Sequence, residues 1–437
     1  MSTPLLENIL QQQLVQADFK RVIVAYSGGL DSSVLLNAVV ALNLTVPVMA
    51  IHIHHGLSKH ADQWLAHCQS ECQRLGVSFH FEKVNLLNKS ATEDISSDMT
   101  SGIELAARQA RYQVFNQYLQ VGDGILMAHH QNDQIETFMM RLMRGSGLTG
   151  LCAMDKQREL GQGQLLRPLL DFSRIDLEEY ALQNNISYID DDSNRNTEFD
   201  RNWWRHDLLP KLKGRFTQSD QSILKSISVL RAEQQLLRDL LEPIYTSIKD
   251  AQGCLNISKL KTQTRSIQNQ VIRNWLEEHG LYPRLADKQL KAVLEDVIHA
   301  RQDAEPVFKW QANEIRRHND KLYCMNSLPI INSDVFPLIY DGNEYSNLPL
   351  GKLEHRLGLG LKPGRYELSL YDASAKARPV NRPNKNLKKW FQEYSIPPWQ
   401  RPYWPVLIKE GVVAAVPGLF VCQGYACEQG WQLRFKL

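Results

Sequence analysis

Three clusters in this chain carry residue types able to do chemistry. The first is Ser27-Gly28-Gly29-Leu30-Asp31-Ser32, with Ser33 after it. Two glycines let a backbone turn tightly and approach a ligand closely, and Ser27, Ser32 and Ser33 add hydroxyl donors. An apolar run precedes the turn and a helical pattern follows it. That order presents free N–H groups and a positive dipole end, the ingredients of an anion site. Asp31 would repel a bare phosphate, an objection that a divalent cation between carboxylate and phosphate removes. Asp31 is therefore the candidate metal ligand. The turn holds no lysine and no GK[ST] ending, so it is not a Walker-type P-loop. A plain serine- and glycine-rich helix cap is the bland alternative.

The second cluster is His129-His130-Gln131-Asn132-Asp133-Gln134-Ile135-Glu136, running from a strand end into a helix. His130, Asp133 and Glu136 are spaced by three, so they lie along one helical face near its start. Acids there also serve capping and the helix dipole. In the functional alternative they hold a cation or accept a proton from an amine. The third cluster is basic. Arg108 and Arg111, in Gly102 to Tyr112, either form a solvated face or bind phosphate, for which arginine's planar donor fork is suited. His52 and His54 share one strand face, as metal ligands can, but no Asp, Glu or Cys stands beside them at ligand spacing. A strand end at a nucleotide site, closed by Gly56, fits them better. The GxGxxG at Gly145 to Gly150 follows a helix, so a dinucleotide-binding reading fails its context.

Alternating elements must position these residues. Strands are expected at Val22 to Tyr26, Val46 to His54, Val77 to Val84, Gly124 to His129 and Ser187 to Asp190. Helices are expected at Ala61 to Leu75, Ile103 to Leu119 and Gln131 to Met143. Such alternation predicts a parallel, doubly wound sheet, with ligands beyond the carboxyl ends of the strands. The loop at Ser27, His52 to Gly56 and His129 to Glu136 all fall there. Helical spacing follows at Ser222 to Leu241, Gln268 to Glu278 and Ala286 to His299, with strand patterns only from Val307 to Met325. The last hundred residues read as β-rich. Three domains are expected: an α/β domain over 1–215, a mainly helical domain over 216–328 and a small β-rich (α+β) domain over 329–437.

At 437 residues the chain exceeds one core. Its net charge of +2 forces no global nucleic-acid reading, so any basic surface is local. One such stretch exists: between Ala375 and Gln392 there is no acid, while Lys376, Arg378, Arg382, Lys385, Lys388 and Lys389 are basic and Trp390 and Phe391 follow. That is the footprint of phosphate-backbone binding, with a solubilising face as its alternative. The polar N-terminus has no apolar signal core and no stretch approaches a membrane span. Seven cysteines without framework spacing or a CxxC point to a reducing compartment and free buried thiols. A cytoplasmic protein is expected.

The SGGLDS turn resembles the PP-loop of the N-type ATP pyrophosphatases. Adding HIHHG, GIELAARQARY, AHHQNDQIET, RGSGLTGL, Arg167 to Leu170, Asp191 to Asn194 and Asp200 to Arg205, the chain resembles the tRNA(Ile)-lysidine synthetase family. The likeness resumes at Leu387 to Glu393 and Ile396 to Arg401. One departure is visible: the family reads DDQxET where this chain has Asn132 before Asp133.

The resemblance implies an ATP- and Mg²⁺-dependent carbon–nitrogen ligase. Its substrates would be free lysine and tRNA(Ile) with anticodon CAU, and its product lysidine at the wobble cytidine. ATP would sit on Ser27, Gly28, Gly29, Leu30, Asp31 and Ser32. Asp31, His130, Asp133, Glu136 and Arg205 would carry the reaction, with Asp31 on the metal. Arg205 would stand by the ATP phosphates or the tRNA. Arg108, Arg111, Lys388 and Lys389 are the candidate substrate contacts. Trp203 and Trp204 stack on a base or belong to the core. The alternative is another PP-loop tRNA-modifying enzyme, such as a thiolase, which would need cysteines for a cluster or persulfide. Oligomeric state is left open, a homodimer among the options.

Overall fold

The computed structural model describes residues 3–54, 56, 60–84, 99–190, 197, 200–280, 285, 287–301, 304–332, 335–343 and 345–436. The chain forms two compact units, 1–238 and 239–437.

In the first unit, helix α1 (Thr3–Ala17) leads into strand β1 (Arg21–Ala25), then α2 (Leu30–Ala41), β2 (Val48–His54), α3 (Ala61–Leu75) and β3 (Ser78–Lys83). α4 (Met99–Tyr118), β4 (Asp123–Leu126), α5 (Gln131–Met143), α6 (Leu148–Leu151), β5 (Gln157–Leu160), β6 (Gly163–Leu166) and α7 (Arg174–Gln183) follow. The unit continues through α8 (Asp200–Trp203), a π-helical turn (Trp204–Leu208) and α9 (Leu209–Arg215). The boundary between the units falls within α10 (Ser219–Ile248).

The sheet order is β3-β2-β1-β4-β6-β5, parallel except for the β5–β6 hairpin. Alternate residues of the central strands feed two cores. Val22, Val24, Ala50 and Leu126 pack with α1, α2, α3 and α7. Ile23, Met49, Ile51 and Ile125 pack with Phe115 and Leu119 at the end of α4. Apolar residues on both strand faces, as in Val22-Ile23-Val24, are what a doubly covered parallel sheet requires. The chain steps outward from β1 through β2 to β3, then returns to place β4 on β1's other side. The carboxyl ends of β1 and β4 therefore flank the switch point, where a crevice opens.

Two expectations about strands are corrected. Ser187 to Asp190 is not a sheet strand: only Ile189 bridges, to Gly29. Beyond β4 the sheet continues instead through the β5–β6 hairpin, with β5 at the edge, and its mixed residues around Gly161 carry little strand signal. Strand structure in the middle region also begins earlier than Val307.

In the second unit a two-residue strand, β7 (Leu255–Asn256), precedes α11 (Ile257–Lys261), α12 (Arg265–Glu278), α13 (Asp287–Ala292) and a π-helical stretch, Val293–Ile298. β7 pairs with β10 (Lys321–Asn326), beside β9 (Asn313–His318) and β8 (Val307–Trp310). The C-terminal region is antiparallel. β11 (Leu338–Tyr340), β14 (Tyr366–Leu370), β17 (Pro405–Lys409), β18 (Val412–Val416) and β19 (Phe420–Val421) form one sheet. β12 (Tyr345–Leu348), β13 (Gly351–Leu361) and β20 (Ala426–Lys436) form a second. A short pair, β15 (Lys376–Ala377) and β16 (Lys385–Asn386), leads into α14 (Leu387–Glu393). No helix among the described residues is long and apolar enough to cross a membrane.

Candidate active site

The turn after β1 is built as its residue types require. Gly28 has φ +86°, a left-handed conformation that side chains resist, and a Cβ there would meet Cys68 Sγ at 2.9 Å. Its carbonyl accepts from Ile189 N at 2.9 Å, which explains the isolated bridge. Ser32 Oγ donates to Gly29 O at 3.0 Å and lies 3.0 Å from Ser27 Oγ, so the hydroxyls brace the loop. No side chain caps the start of α2. Its first-turn N–H groups have no intrahelical carbonyl to reach and face the crevice end of the sheet.

α5 starts from the end of β4. His130 is its N-cap: its Nδ1 accepts from Asn132 N at 3.3 Å, and Asp133 Oδ2 accepts from His130 N at 2.9 Å. Capping and function thus use the same residues. His130 Nε2 lies 3.7 Å from Asp31 Oδ2 and 3.6 Å from Asp133 Oδ2. The two loops meet through that imidazole, which is 3 % exposed.

Two guanidiniums clamp the acids of α5. Arg201 donates to Asp133 Oδ1 at 2.6 Å and to Glu136 Oε2 at 2.7 Å. Arg205 donates to Glu136 Oε1 at 2.7 Å and to Asp133 Oδ1 at 3.2 Å. Glu136 is 1 % and Asp133 6 % exposed, so neither carboxylate could stay charged there unpaired. Burial pushes the Asp133 carboxyl up, but Arg201, then His130 and His129, with the His130 N–H, hold it well below the usual range. Arg205 sits in the π-helical turn, a departure that often marks functional positions.

Asp31 differs. Arg174 Nη1 donates to it at 2.7 Å, yet burial still raises its pKa against the pull of His130 and Arg174. His129 is pushed down to about 3, first by burial and then by Arg167, Arg201 and Arg111, against the pull of Asp133. It is a neutral imidazole whose Nδ1 accepts from Arg167 Nε at 3.2 Å.

The Ser27 turn, Asp31, His130, Asp133, Glu136 and Arg205 are thus brought together. Arg108 and Arg111 stand on the flank of that set, and the charge of Arg111 reaches His129. Arg108 lies over the Tyr112 ring at 5.1 Å, and Arg158 over the same ring at 4.9 Å. Burial raises the Tyr112 hydroxyl, but Arg108, Arg167 and Arg158 bring it below its ordinary value, so this flank is strongly positive. His52 is buried, with Nδ1 2.9 Å from Tyr26 O, and it ties β2 to the end of β1. Among the described residues no cluster of three or more His, Cys, Asp or Glu side chains is arranged to hold a metal ion. Asn132 is used structurally, its Oδ1 accepting from Arg174 N at 3.1 Å. Asp191 to Asn194 lie outside the described residues.

Two site residues escaped the sequence reading. Arg174 belongs to no motif; only its place after the Ser173 cap of α7 brings it to Asp31. Arg201 did carry a signal, since it stands four residues before Arg205 and a helix puts both on one face.

The C-terminal basic stretch needs one correction. Lys388 and Lys389 are exposed on α14, but Trp390 and Phe391 are fully buried in the core beneath them. The aromatics are the floor of the patch and offer no stacking surface. Arg382 and Lys385 both pair with Glu393, so part of the charge is spent internally. All seven thiols are free, but only five are buried, and Cys324 and Cys427 are half-buried. Burial pushes Cys68 and Cys72 up to about 12, which makes them poor nucleophiles.

Comparison with known proteins agrees with this layout. The family model described as PP-loop domain matches residues 3–212. A TilS substrate binding domain matches 255–323, and a TilS substrate C-terminal domain matches 367–435. The chain is 38 % identical to a tRNA(Ile)-lysidine synthase of Coxiella burnetii, over 94 % of this chain and 92 % of that protein. It is 34 % identical to the tRNA(Ile)-lysidine synthase of Haemophilus influenzae strain 86-028NP, over 94 % and 97 %. The corresponding protein of Vibrio vulnificus strain YJ016 is 34 % identical over 94 % and 95 %.

Proposed function

The chain belongs to the tRNA(Ile)-lysidine synthase family, and from that premise we infer that it joins free lysine to carbon two of the wobble cytidine in tRNA(Ile) with anticodon CAU. ATP adenylates the carbonyl oxygen on that carbon, and pyrophosphate leaves. The side-chain amine of lysine then attacks the carbon, and AMP leaves. Residues 1–215 carry the chemistry, while 216–328 and 329–437 hold the tRNA. The reaction takes place in the cytoplasm.

The observation that carries this reading is the meeting of Asp31 with His130 and Asp133 at the switch point, 3.7 and 3.6 Å apart through one imidazole. The N–H groups of the Ser27 turn and of α2's first turn cradle the phosphates. Asp31 fits a Mg²⁺ ion, which takes one or two carboxylates and completes its shell with phosphate oxygens and water. When bound, that ion offsets the charge of the departing pyrophosphate. His130, with Nε2 toward Asp31, stands where it can donate to an oxygen of the nucleotide.

Asp133 and Glu136 seat the lysine ammonium. A lysine amine has an ordinary pKa of about 10.4, so it must lose a proton before attack. While Arg201, with His130 and His129, holds Asp133 well below its usual range against the effect of burial, Asp133 anchors the cation and does not take the proton. Entry of an ammonium between acids and guanidiniums loosens that clamp and frees a carboxylate to act as base.

The test is incubation with ATP, Mg²⁺, radiolabelled lysine and unmodified tRNA(Ile) bearing CAU. ATP-dependent, acid-precipitable label that survives mild alkaline deacylation is expected, because an ester-linked lysine would be lost. AMP release without stable label would overturn the lysidine assignment.

A further inference from the structure

Glu136, Met140 and Met143 follow one another along successive turns of α5, on the row that begins with Asp133. Beyond the acids that row enters a cavity of about 350 Å³ lined by Met140, Met143, Trp203, Trp204 and Leu208. Its lining is thioether and indole, soft and flat. Trp204 is buried and meets Trp203 edge-on, with ring centroids 5.6 Å apart at 76°. Trp203 is left 42 % exposed and Met143 63 % exposed, apolar area that the core does not use. Arg144 and Asp200, 3.7 Å apart and both solvent-facing, complete the cavity wall with polar groups.

We propose that this cavity takes an unstacked nucleobase of the tRNA, the one next to the cytidine that reacts at Asp133 and Glu136. The proposal rests on the reading of the substrate given above. Indole and thioether surfaces bind the face of any base, and single-stranded RNA loops are recognised by bases splayed onto such surfaces. Met140 is one helical turn, about 6 Å, beyond Glu136. That is a step one unstacked nucleotide can span. A base seated here holds its neighbour at the acids. The arginine and aspartate of the wall offer a donor and an acceptor to the base edge.

A thermodynamic cycle tests this with the full chain. The probe is an anticodon stem-loop RNA, intact or with an abasic residue immediately after the wobble position. Trp203→Ala and the abasic substitution should each weaken RNA binding roughly 5- to 100-fold. Together they should weaken it no more than either alone. Trp203→Phe, which keeps a flat ring, should bind the intact RNA nearly as the parent does, and Met143→Ala should show a smaller loss of the same kind. ATP affinity should not change. Fully additive losses overturn the assignment, as does unchanged RNA affinity in both alanine variants. Loss of ATP affinity in Trp203→Ala overturns it in favour of adenine as the occupant. Lysidine formation by the parent protein is scored in the same preparation. Failure there sinks the underlying reading, whereas additive losses beside normal activity sink the cavity's occupant alone.

Discussion

Charge balance in the site turns on Asp133. Its carboxylate is buried, yet two guanidiniums, an imidazole and a backbone N–H make the ionised form the stable one. Asp133→Asn keeps the shape and removes the charge. It should abolish lysine incorporation while leaving RNA binding intact; full activity in that variant would take Asp133 out of the mechanism. His129 makes the opposite case, an ionisable group held neutral. Its folded pKa of about 3 lies below the ordinary 6.5. The unfolded chain therefore binds more protons between those values, and stability rises with pH across that window. The contribution is complete above pH 6.5 and is lost as pH falls toward 3. Urea midpoints of the full chain should fall over that range, and His129→Gln, which still offers an acceptor to Arg167, should flatten the fall. An equal slope in the variant would show that other groups set it.

At the scale of elements, the β1–α2 turn shows what was legible in the sequence. Val22 to Ala25, two glycines, an acid and a helical run lie in register, and each part is dictated by a local rule. The same holds for α5, whose cap and acids are contiguous, and for α3 and α5, whose ends match their apolar spacing. The β5–β6 hairpin was not legible, because Gln157-Arg158-Glu159 is polar and edge pairing alone makes it a strand. Arg174 was not legible either, since its partner Asp31 is far away in sequence and only the packing of α2 on α7 joins them. Trp390 and Phe391 misled by proximity: apolar residues beside lysines are read as one surface, whereas helical spacing sends them inward. The glycine turn itself yields a prediction. Gly28→Ala must hold a Cβ at φ +86° and against Cys68 and Ile189. Left-handed backbone alone costs a side chain about 1–2 kcal/mol. ATP binding should weaken at least tenfold in a titration, because relief requires moving the turn that carries the phosphate donors. Wild-type ATP affinity in the variant would mean that the turn is not the nucleotide cradle.

At the scale of the whole molecule, the chain forms two compact units, and the proposed labour of a ligase acting on a large RNA divides between them. The ionisable groups suited to the reaction lie in the first unit, and a cluster of exposed cations lies in the second. A net charge of +2 conceals that cluster, because acids elsewhere balance it. Within it, Glu393 neutralises Arg382 and Lys385 and leans both toward the Trp390 ring, at 5.2 and 4.6 Å. Lys388 and Lys389 are exposed on α14, on the outer side of a helix whose inner residues are fixed in the core. A helix fixed in the core presents such cations without backbone ordering cost, which suits phosphate contacts that position an RNA without reading its sequence. Removing one cation from a phosphate lowers the slope of log affinity against log salt by about 0.7–0.9. Lys388→Ala with Lys389→Ala should therefore weaken tRNA binding at low salt and reduce that slope by up to about 2, while ATP affinity stays constant. Because both side chains leave the core untouched, folding is not at issue. Unchanged affinity and slope would mark the patch as a solvated face and move the search for the tRNA-binding surface elsewhere in the second unit.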